Sequence, residues 1–179
     1  MRNLLIDIDG VICQYDFPRL TKQYFGIEIP NEGIYTYSLE DALGVSSKAI
    51  SDMFAQEVFG KPNFVTDAVK YLKYFLDNGY AVNIYSNRLC WMTQEELGDW
   101  LDKWGVPYTD VTNGGGLPSY IHGYVDDCPS KLLGIDEQTT VKHLILFSNP
   151  WNTHCLDILN KFTRAKSWLE IRRILDGNF

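Results

Sequence analysis

The chain has 179 residues, of which 45% are hydrophobic and 22% charged, a composition that is typical of a soluble globular protein and excludes a disordered chain. Its length predicts one domain over residues 1–179, with room for a small insertion. The formal net charge of −7 disfavours long contacts with nucleic acid, because such contacts neutralise phosphates with Lys and Arg. It does not exclude one small phosphate, bound at a locally positive site or through a cation.

Cysteine spacing and hydropathy predict the cellular location of the protein. No apolar run reaches membrane-spanning length, so we expect no membrane contact. The first predicted strand starts close to Met1, which leaves no room for a targeting segment. The cysteines include no closely spaced pair, so we expect reduced thiols in a cytoplasmic protein and no zinc site. They are Cys13, Cys90, Cys128 and Cys155.

The chain opens with a short apolar run at 3–6 that leads into Asp7, Asp9 and Gly10. This pattern predicts a buried strand that ends in a loop with two carboxylates. Residues two apart on an extended chain point the same way, so both carboxylates can face one metal ion or one phosphate. Gly10 permits a tight turn away from them. The simpler alternative is an Asp-rich turn without function.

The rest of the chain predicts a small helical insertion followed by alternating helices and strands. No strand signal occurs between the first loop and residue 63, so residues 14–63 are predicted to form a helical cap with helices at 17–25, 38–43 and 47–59. Later helices are predicted at 65–77, 94–104 and around 168–175, strands at 80–85, 108–112, 122–125 and 141–147, and a glycine turn at 113–116. Helices alternating with strands predict an α/β fold with a doubly wound parallel sheet.

A second predicted strand ends in carboxylates, at Asp126 and Asp127, and a third ends in a small hydroxyl residue, Ser86. The carboxyl ends of parallel strands lie at one edge of the sheet, where ligands bind. Four carboxylates around one point repel each other unless a cation neutralises them, and such oxygen-rich sites suit Mg²⁺. Because Mg²⁺ completes its shell with substrate phosphate, the pattern predicts phosphate chemistry.

These three strand ends resemble motifs I, II and IV of the haloacid dehalogenase superfamily of phosphatases. Within it, the chain is most similar to the 5'(3')-deoxyribonucleotidase family, over nearly its whole length. The narrower similarity is carried by the position of the helical cap and by three later stretches. They are Val125–Asp127, the strand His143–Phe147 followed by Asn152, and Ser167–Trp168 with Ile171 and Leu175.

The resemblance implies a reaction through an aspartyl phosphate. Asp7 would attack phosphorus, and Asp9 would protonate the leaving alkoxide and then activate water. Mg²⁺ would be held by the Asp7 carboxylate, the Asp9 backbone carbonyl and either Asp126 or Asp127, a choice that the sequence leaves open. Ser86 would donate a hydrogen bond to a phosphate oxygen.

The predicted substrate-binding residues are Ser86, Asn87, Arg88 and Tyr15. Backbone amides near Ser86 would share the binding of the phosphate. Tyr15 falls where the family places an aromatic residue near the base, and packing the cap against the core is its alternative role.

The chain departs from the family in one respect. The family has a Lys shortly before the motif IV strand, whereas residues 104–130 contain neither Lys nor Arg. That cation offsets charge on the nucleophile and the phosphate. Lys131, Arg88 and Lys103 are the candidates to replace it, and we favour Lys131 because it follows the second carboxylate pair closely.

The carboxylate pattern and the superfamily motifs therefore predict a Mg²⁺-dependent phosphatase, and the resemblance to the deoxyribonucleotidases implies that it acts on nucleoside monophosphates, with deoxy substrates preferred. One alternative is a phosphatase for another small phosphomonoester, because specificity resides in the cap. Another is a nucleotide- or phosphate-binding protein with weak or no turnover, which the missing Lys motivates. The expected partner is a small phosphorylated metabolite, and a homodimer is compatible with the sequence.

Overall fold

A computed structural model describes residues 2–30, 34, 38–112, 117–136, 138–153 and 161–177. The predicted glycine turn at 113–116 and the cysteine at position 155 lie outside these ranges. Within them, no helix combines the length and the hydropathy needed to cross a membrane.

The centre of the fold is a six-stranded sheet in which every strand pairs in parallel, in the order β3-β2-β1-β4-β5-β6. The first strand is central, and Ile6 is in register with Ile84 on one side and Val125 on the other. The chain therefore leaves β1 at the point where the strand order reverses, which is where parallel α/β sheets bind ligands. The strands are β1 Arg2–Ile6, β2 Tyr80–Tyr85, β3 Asp110–Thr112, β4 Tyr120–Asp126, β5 Thr140–Phe147 and β6 Thr163–Ala165.

Seven α-helices belong to the described residues. They are α1 Phe17–Phe25, α2 Leu39–Leu43, α3 Ser47–Glu57, α4 Ala68–Asp77, α5 Gln94–Lys103, α6 Pro129–Asp136 and α7 Trp168–Asp176. Short 3₁₀ turns follow β2 at Asn87–Cys90 and β5 at Pro150–Asn152. From α4 onward the described elements follow the order α4-β2-α5-β3-β4-α6-β5-β6-α7, so the predicted alternation holds except at β3-β4 and β5-β6.

Apolar side chains cover both faces of the sheet, as alternation along buried strands requires. Leu4 and Ile6 of β1 pack in one cluster with residues of α4, α5 and α7. Leu5, on the opposite face, packs in a second cluster with Leu132 and Ile135 of α6. The predicted α/β fold with a parallel sheet and a helical region after the first strand is confirmed.

The helical region between β1 and β2 has an apolar cluster of its own. Ile34, Leu39 and Ile50 are buried in it, and Phe17 and Phe54 pack against them. This cluster is separate from the two that cover the sheet. The helices α1–α3 therefore bury an apolar surface among themselves instead of adding to the main core.

Several predicted boundaries need correction. The third helix ends at Glu57 and not at residue 59, and α4 begins at Ala68 and not at residue 65, because Asp67 adopts a left-handed conformation with φ 64°. Strand β3 is shorter than predicted, and β6 was not predicted. Lys131 lies in helix α6, which the sequence analysis did not identify.

Candidate active site

The loop after β1 brings the first carboxylate to the middle of the sheet edge. Asp7 is 2% exposed, and its backbone N–H donates to the carbonyl of Val125 on β4 at 3.0 Å. Its Oδ1 accepts a hydrogen bond from the N–H of Ile8 at 2.8 Å, which fixes the side chain. Gly10 has φ 81°, a left-handed conformation that favours glycine.

The loop after β4 contributes the next two carboxylates. Asp126 is fully buried and accepts hydrogen bonds from the Tyr124 hydroxyl and, at 2.8 Å, from the N–H of Cys128. Asp127 is 5% exposed and accepts a hydrogen bond from Trp151 Nε1 at 2.6 Å. One oxygen from each of Asp7, Asp126 and Asp127 lies within 4.8 Å of the others. The structure thus brings together three of the four predicted acidic residues.

One cation accompanies these carboxylates in the described structure. The Nζ of Lys131 lies 2.9 Å from Oδ2 of Asp7 and 3.6 Å from Oδ2 of Asp126. Of the other two candidates, Lys103 is exposed and lies over the ring of Trp104, and Arg88 pairs with Asp9. Lys131 therefore has the position expected of the residue that replaces the missing Lys.

The balance of charge at this site favours a bound cation. Burial and the Asp7 carboxylate raise the pKa of Asp126 to about 7. Burial and the Asp126 carboxylate raise the pKa of Asp127 well above its usual range. Burial would lower the pKa of Lys131, but Asp7 and Asp126 outweigh it and raise that pKa. A single ammonium group thus offsets only part of the negative charge, and these oxygen donors fit Mg²⁺.

Asp9 is the predicted acidic residue that lies outside the cluster of three. Its carboxylate pairs with Arg88, whose Nη2 lies 2.9 Å from Asp9 Oδ1. The Arg88 side chain is only 3% exposed, and among the described residues it is not part of the wall of the main cavity. The structure therefore does not support the predicted contact between Arg88 and substrate.

The end of β2 supplies the predicted phosphate-binding residues. Ser86 is buried, and its Oγ accepts a hydrogen bond from the N–H of Arg88 at 3.3 Å. It follows β2 just beyond Ile84, the residue in register with Ile6, so it lies at the same sheet edge as Asp7. Asn87 lines the cavity in front of the carboxylates, whereas Ser86, like Arg88, is not among the described residues of its wall.

A cavity of about 240 Å³ opens onto Asp7, Asp9, Asp127 and Lys131. Its far wall is aromatic and apolar. Phe54 lies 5.1 Å from the ring of Tyr15 and 6.0 Å from that of Trp91, and Phe17 lies 5.5 Å from Trp151. The Tyr15 hydroxyl is buried and has no hydrogen-bond partner in the described structure, while burial and the Asp9 carboxylate raise its pKa. Tyr15 thus both packs against the cap helices and faces the cavity.

Sequence reasoning missed several residues of this site. Trp151 was not among the predicted site residues, yet it donates a hydrogen bond to Asp127 and lines the cavity. Its position just after β5 was the available signal, because side chains at strand ends face the site. Tyr124 belongs to the second core cluster, and nothing in the sequence indicated that its hydroxyl binds a site carboxylate. Nothing in the sequence indicated that Arg88 pairs with Asp9 either, because the two residues are 79 positions apart.

Solved structures share this fold at low sequence identity. A haloacid dehalogenase-like family hydrolase from Streptococcus pneumoniae matches with a TM-score of 0.62 and 13% identity, over 97% of this chain and 98% of that one. A Had-superfamily hydrolase from Ehrlichia chaffeensis matches with a TM-score of 0.58 and 14% identity, over 99% of this chain and 98% of that one. A phosphoserine phosphohydrolase-like protein from Francisella tularensis matches with a TM-score of 0.58 and 12% identity, over 97% of this chain and 99% of that one. No curated protein matches the sequence significantly.

The family model described as "5' nucleotidase, deoxy (Pyrimidine), cytosolic type C protein" matches residues 2–176. The match spans all the described strands, the helices α1–α3 and each of the clustered carboxylates. Together with the shared fold, it shows that the chain belongs to this 5' nucleotidase family of haloacid dehalogenase-type hydrolases.

Proposed function

We propose that the protein is a Mg²⁺-dependent phosphomonoesterase that removes phosphate from nucleoside monophosphates, with deoxynucleotides as the preferred substrates. The observation that carries this proposal is the buried cluster of Asp7, Asp126, Asp127 and Lys131, which faces an aromatic cavity. The carboxylates and the lysine suit phosphoryl transfer, and the aromatic wall suits a flat base. The family's description, which names deoxy and pyrimidine substrates and a cytosolic type, supports the same substrate and a cytoplasmic location.

In the proposed reaction, a carboxylate oxygen of Asp7 forms a bond to phosphorus as the ester P–O bond breaks. Asp9, which lines the same cavity, gives its proton to the leaving alkoxide. It then takes a proton from water, and the water oxygen attacks the aspartyl phosphate to release inorganic phosphate and regenerate Asp7.

The remaining residues neutralise charge and hold the phosphoryl group. Lys131 offsets negative charge on Asp7 and on the transferred group. Ser86 donates a hydrogen bond to a phosphate oxygen, and Asn87 together with backbone N–H groups of this turn completes the cradle.

The residues that would hold Mg²⁺ are Asp7 and Asp127 through their carboxylates and Asp9 through its backbone carbonyl. We favour Asp127 over Asp126 as the direct ligand, because Asp127 lines the cavity and Asp126 is fully buried behind it. A bound Mg²⁺ would neutralise these carboxylates and polarise the phosphoryl oxygens.

The lining of the cavity favours nucleotides over sugar phosphates. We propose that residues 14–63 act as a cap, because Tyr15, Phe17 and Phe54 supply much of the apolar wall. Apart from Asp7, Asp9, Asp127 and Lys131, the described lining residues offer as polar groups Glu40, Asn87 and the Tyr15 hydroxyl, because the indole N–H groups of Trp91 and Trp151 already donate to Ser51 and Asp127. A sugar with several hydroxyl groups would leave most of them unpaired against this wall, which is unfavourable. A base with a deoxyribose fits it better.

The test is phosphate release from a panel of substrates, with Mg²⁺ and with a chelator. The panel contains deoxy- and ribonucleoside monophosphates, hexose phosphates, glycerol phosphate and phosphoserine, and Asp7→Asn is the matched inactive variant. We expect the nucleotides to turn over fastest, and only with Mg²⁺. Sugar phosphates ahead of nucleotides would contradict the substrate, and binding of nucleotides without any release would indicate a binding protein.

A further inference from the structure

Asp9, the proposed acid and base, is held from one side by an arginine. Arg88 donates to it through Nε, at 3.2 Å to Oδ1 and 3.1 Å to Oδ2, and through Nη2, at 2.9 Å to Oδ1. Contacts to both oxygens fix the plane of the carboxylate as well as its distance. An aspartate has few side-chain torsions, so this arrangement leaves it little freedom.

Arg88 is itself fixed by groups on other elements. Its Nη1 donates to the carbonyl of Val58 at 3.0 Å, and its guanidinium lies 4.2 Å from the centre of the Trp100 ring. Trp100 Nε1 in turn donates to the carbonyl of Gly60 at 3.1 Å. Both anchors therefore reach the segment directly after α3, where the helical region returns to the sheet.

The ion pair lies in a wall between two cavities. Asp9 lines the main cavity with Asp7 and also lines a second, polar cavity of about 320 Å³. Arg88 lines the second cavity and not the main one. It is thus well placed to act through Asp9 and poorly placed to contact the phosphate.

We propose that Arg88 is a positioning residue that holds the Asp9 carboxyl group at the leaving oxygen and links its orientation to the segment at Val58–Gly60. This inference rests on the proposed function, in which Asp9 protonates the leaving group.

The test compares two classes of substrate in Arg88→Met, a variant of similar length without the charge. A nucleoside monophosphate has an alkoxide leaving group that needs a proton, whereas the leaving group of p-nitrophenyl phosphate does not. We compare kcat/KM, which covers the steps up to departure of the leaving group and not the later hydrolysis of the aspartyl phosphate, in which Asp9 serves both substrates. We expect kcat/KM for the nucleotide to fall about 100-fold, the usual size of an acid–base contribution. For p-nitrophenyl phosphate we expect kcat/KM to fall less than about fivefold, because its leaving group needs no proton from Asp9.

Two further variants make the result specific. Arg88→Lys keeps a charge but lacks the planar fork, so it should restore part of the nucleotide rate and lower the selectivity between substrates. Arg19→Met removes an exposed arginine of the second cavity that pairs with Glu57, and it should leave both rates unchanged. If Arg88→Met does not fold, the ratio of the two rates in Arg88→Lys decides the question in the same way.

Equal losses for both substrates would overturn the inference, because they would indicate general damage to the site, and so would unchanged rates. Asp9→Asn separates this failure from failure of the proposed function. If Asp9→Asn shows the dependence on leaving group and the Arg88 variants do not, only the role of Arg88 is wrong. If Asp9→Asn does not show it either, the assignment of Asp9 as the acid is wrong.

Discussion

Removal of Mg²⁺ should destabilise the protein at neutral pH more than at acid pH. Burial and the Asp7 carboxylate raise the pKa of Asp126 to about 7 in the metal-free site. An unfolded aspartate has a pKa of about 3.9. Because the pKa of Asp126 is higher in the folded protein than in the unfolded chain, its protonation stabilises the folded protein. This contribution is fully present below the unfolded pKa and is lost as the pH rises through about 7.

The size of this effect follows from the same difference. A gap of about three pKa units at about 1.4 kcal/mol per unit gives an upper limit of about 4 kcal/mol for the change in unfolding free energy. In a protein of this length, about 1 kcal/mol shifts the melting temperature by roughly 2 to 4 °C. Mg²⁺ takes the place of the protons, so it should raise the melting temperature by several degrees at pH 7.5 and by little at pH 5.

The assay is thermal unfolding in EDTA or in Mg²⁺, at pH 5 and at pH 7.5. Asp127→Asn removes one carboxylate with little change in volume, so it should stabilise the metal-free protein at pH 7.5 and abolish the response to Mg²⁺. Asp102→Asn, a change at an exposed position on α5, is the control and should behave like the parent chain. Equal melting temperatures with and without Mg²⁺ at pH 7.5 would refute the reasoning.

Three substitutions test other parts of the site. Lys131→Met removes the cation beside Asp7, so kcat/KM should fall by the equivalent of about 1 to 3 kcal/mol of transition-state stabilisation, and an unchanged rate would contradict its role. Trp151→Phe keeps the aromatic wall but loses the hydrogen bond to Asp127, so calorimetry should show a roughly tenfold weaker affinity for Mg²⁺, and an unaltered affinity would count against that contact. Gly10→Ala adds a Cβ at φ 81° that would lie 2.5 Å from Cγ of Asp127, so the melting temperature should fall and no longer respond to Mg²⁺, and a melting temperature and Mg²⁺ response like those of the parent chain would contradict the steric argument.

Much of the framework could be predicted because its elements have strong local signals. Strand β2 was predicted with the observed bounds, since an apolar run at 80–85 follows a turn at Asn78 and Gly79. Helix α1 also has the predicted bounds, with Asp16 as its N-cap and a left-handed Gly26 at its end. The convergence of Asp7 with Asp126 and Asp127 followed from the rule for the ends of parallel strands.

What could not be predicted depends on contacts between distant parts of the chain. Strand β6 has three residues and no apolar alternation, so only its pairing with β5 defines it. Helix α6 contains Gly134 within eight residues, which weakens its local signal. The pairing of Asp9 with Arg88 spans 79 residues, and no spacing rule could assign Arg88 to Asp9 instead of to a phosphate.

The location of Lys131 supports its proposed role in place of a lysine before β4. Lys131 lies in the first turn of α6, where the helix dipole disfavours a positive charge. Its side chain is nevertheless only 19% exposed, so other groups must stabilise the charge in this position. The carboxylates of Asp7 and Asp126, with which it forms ion pairs, provide this stabilisation. The same helix N-terminus favours negative charge, so it stabilises the carboxylates that the lysine pairs with. A cation on α6, the helix that follows β4, therefore reaches Asp7 and places positive charge beside it.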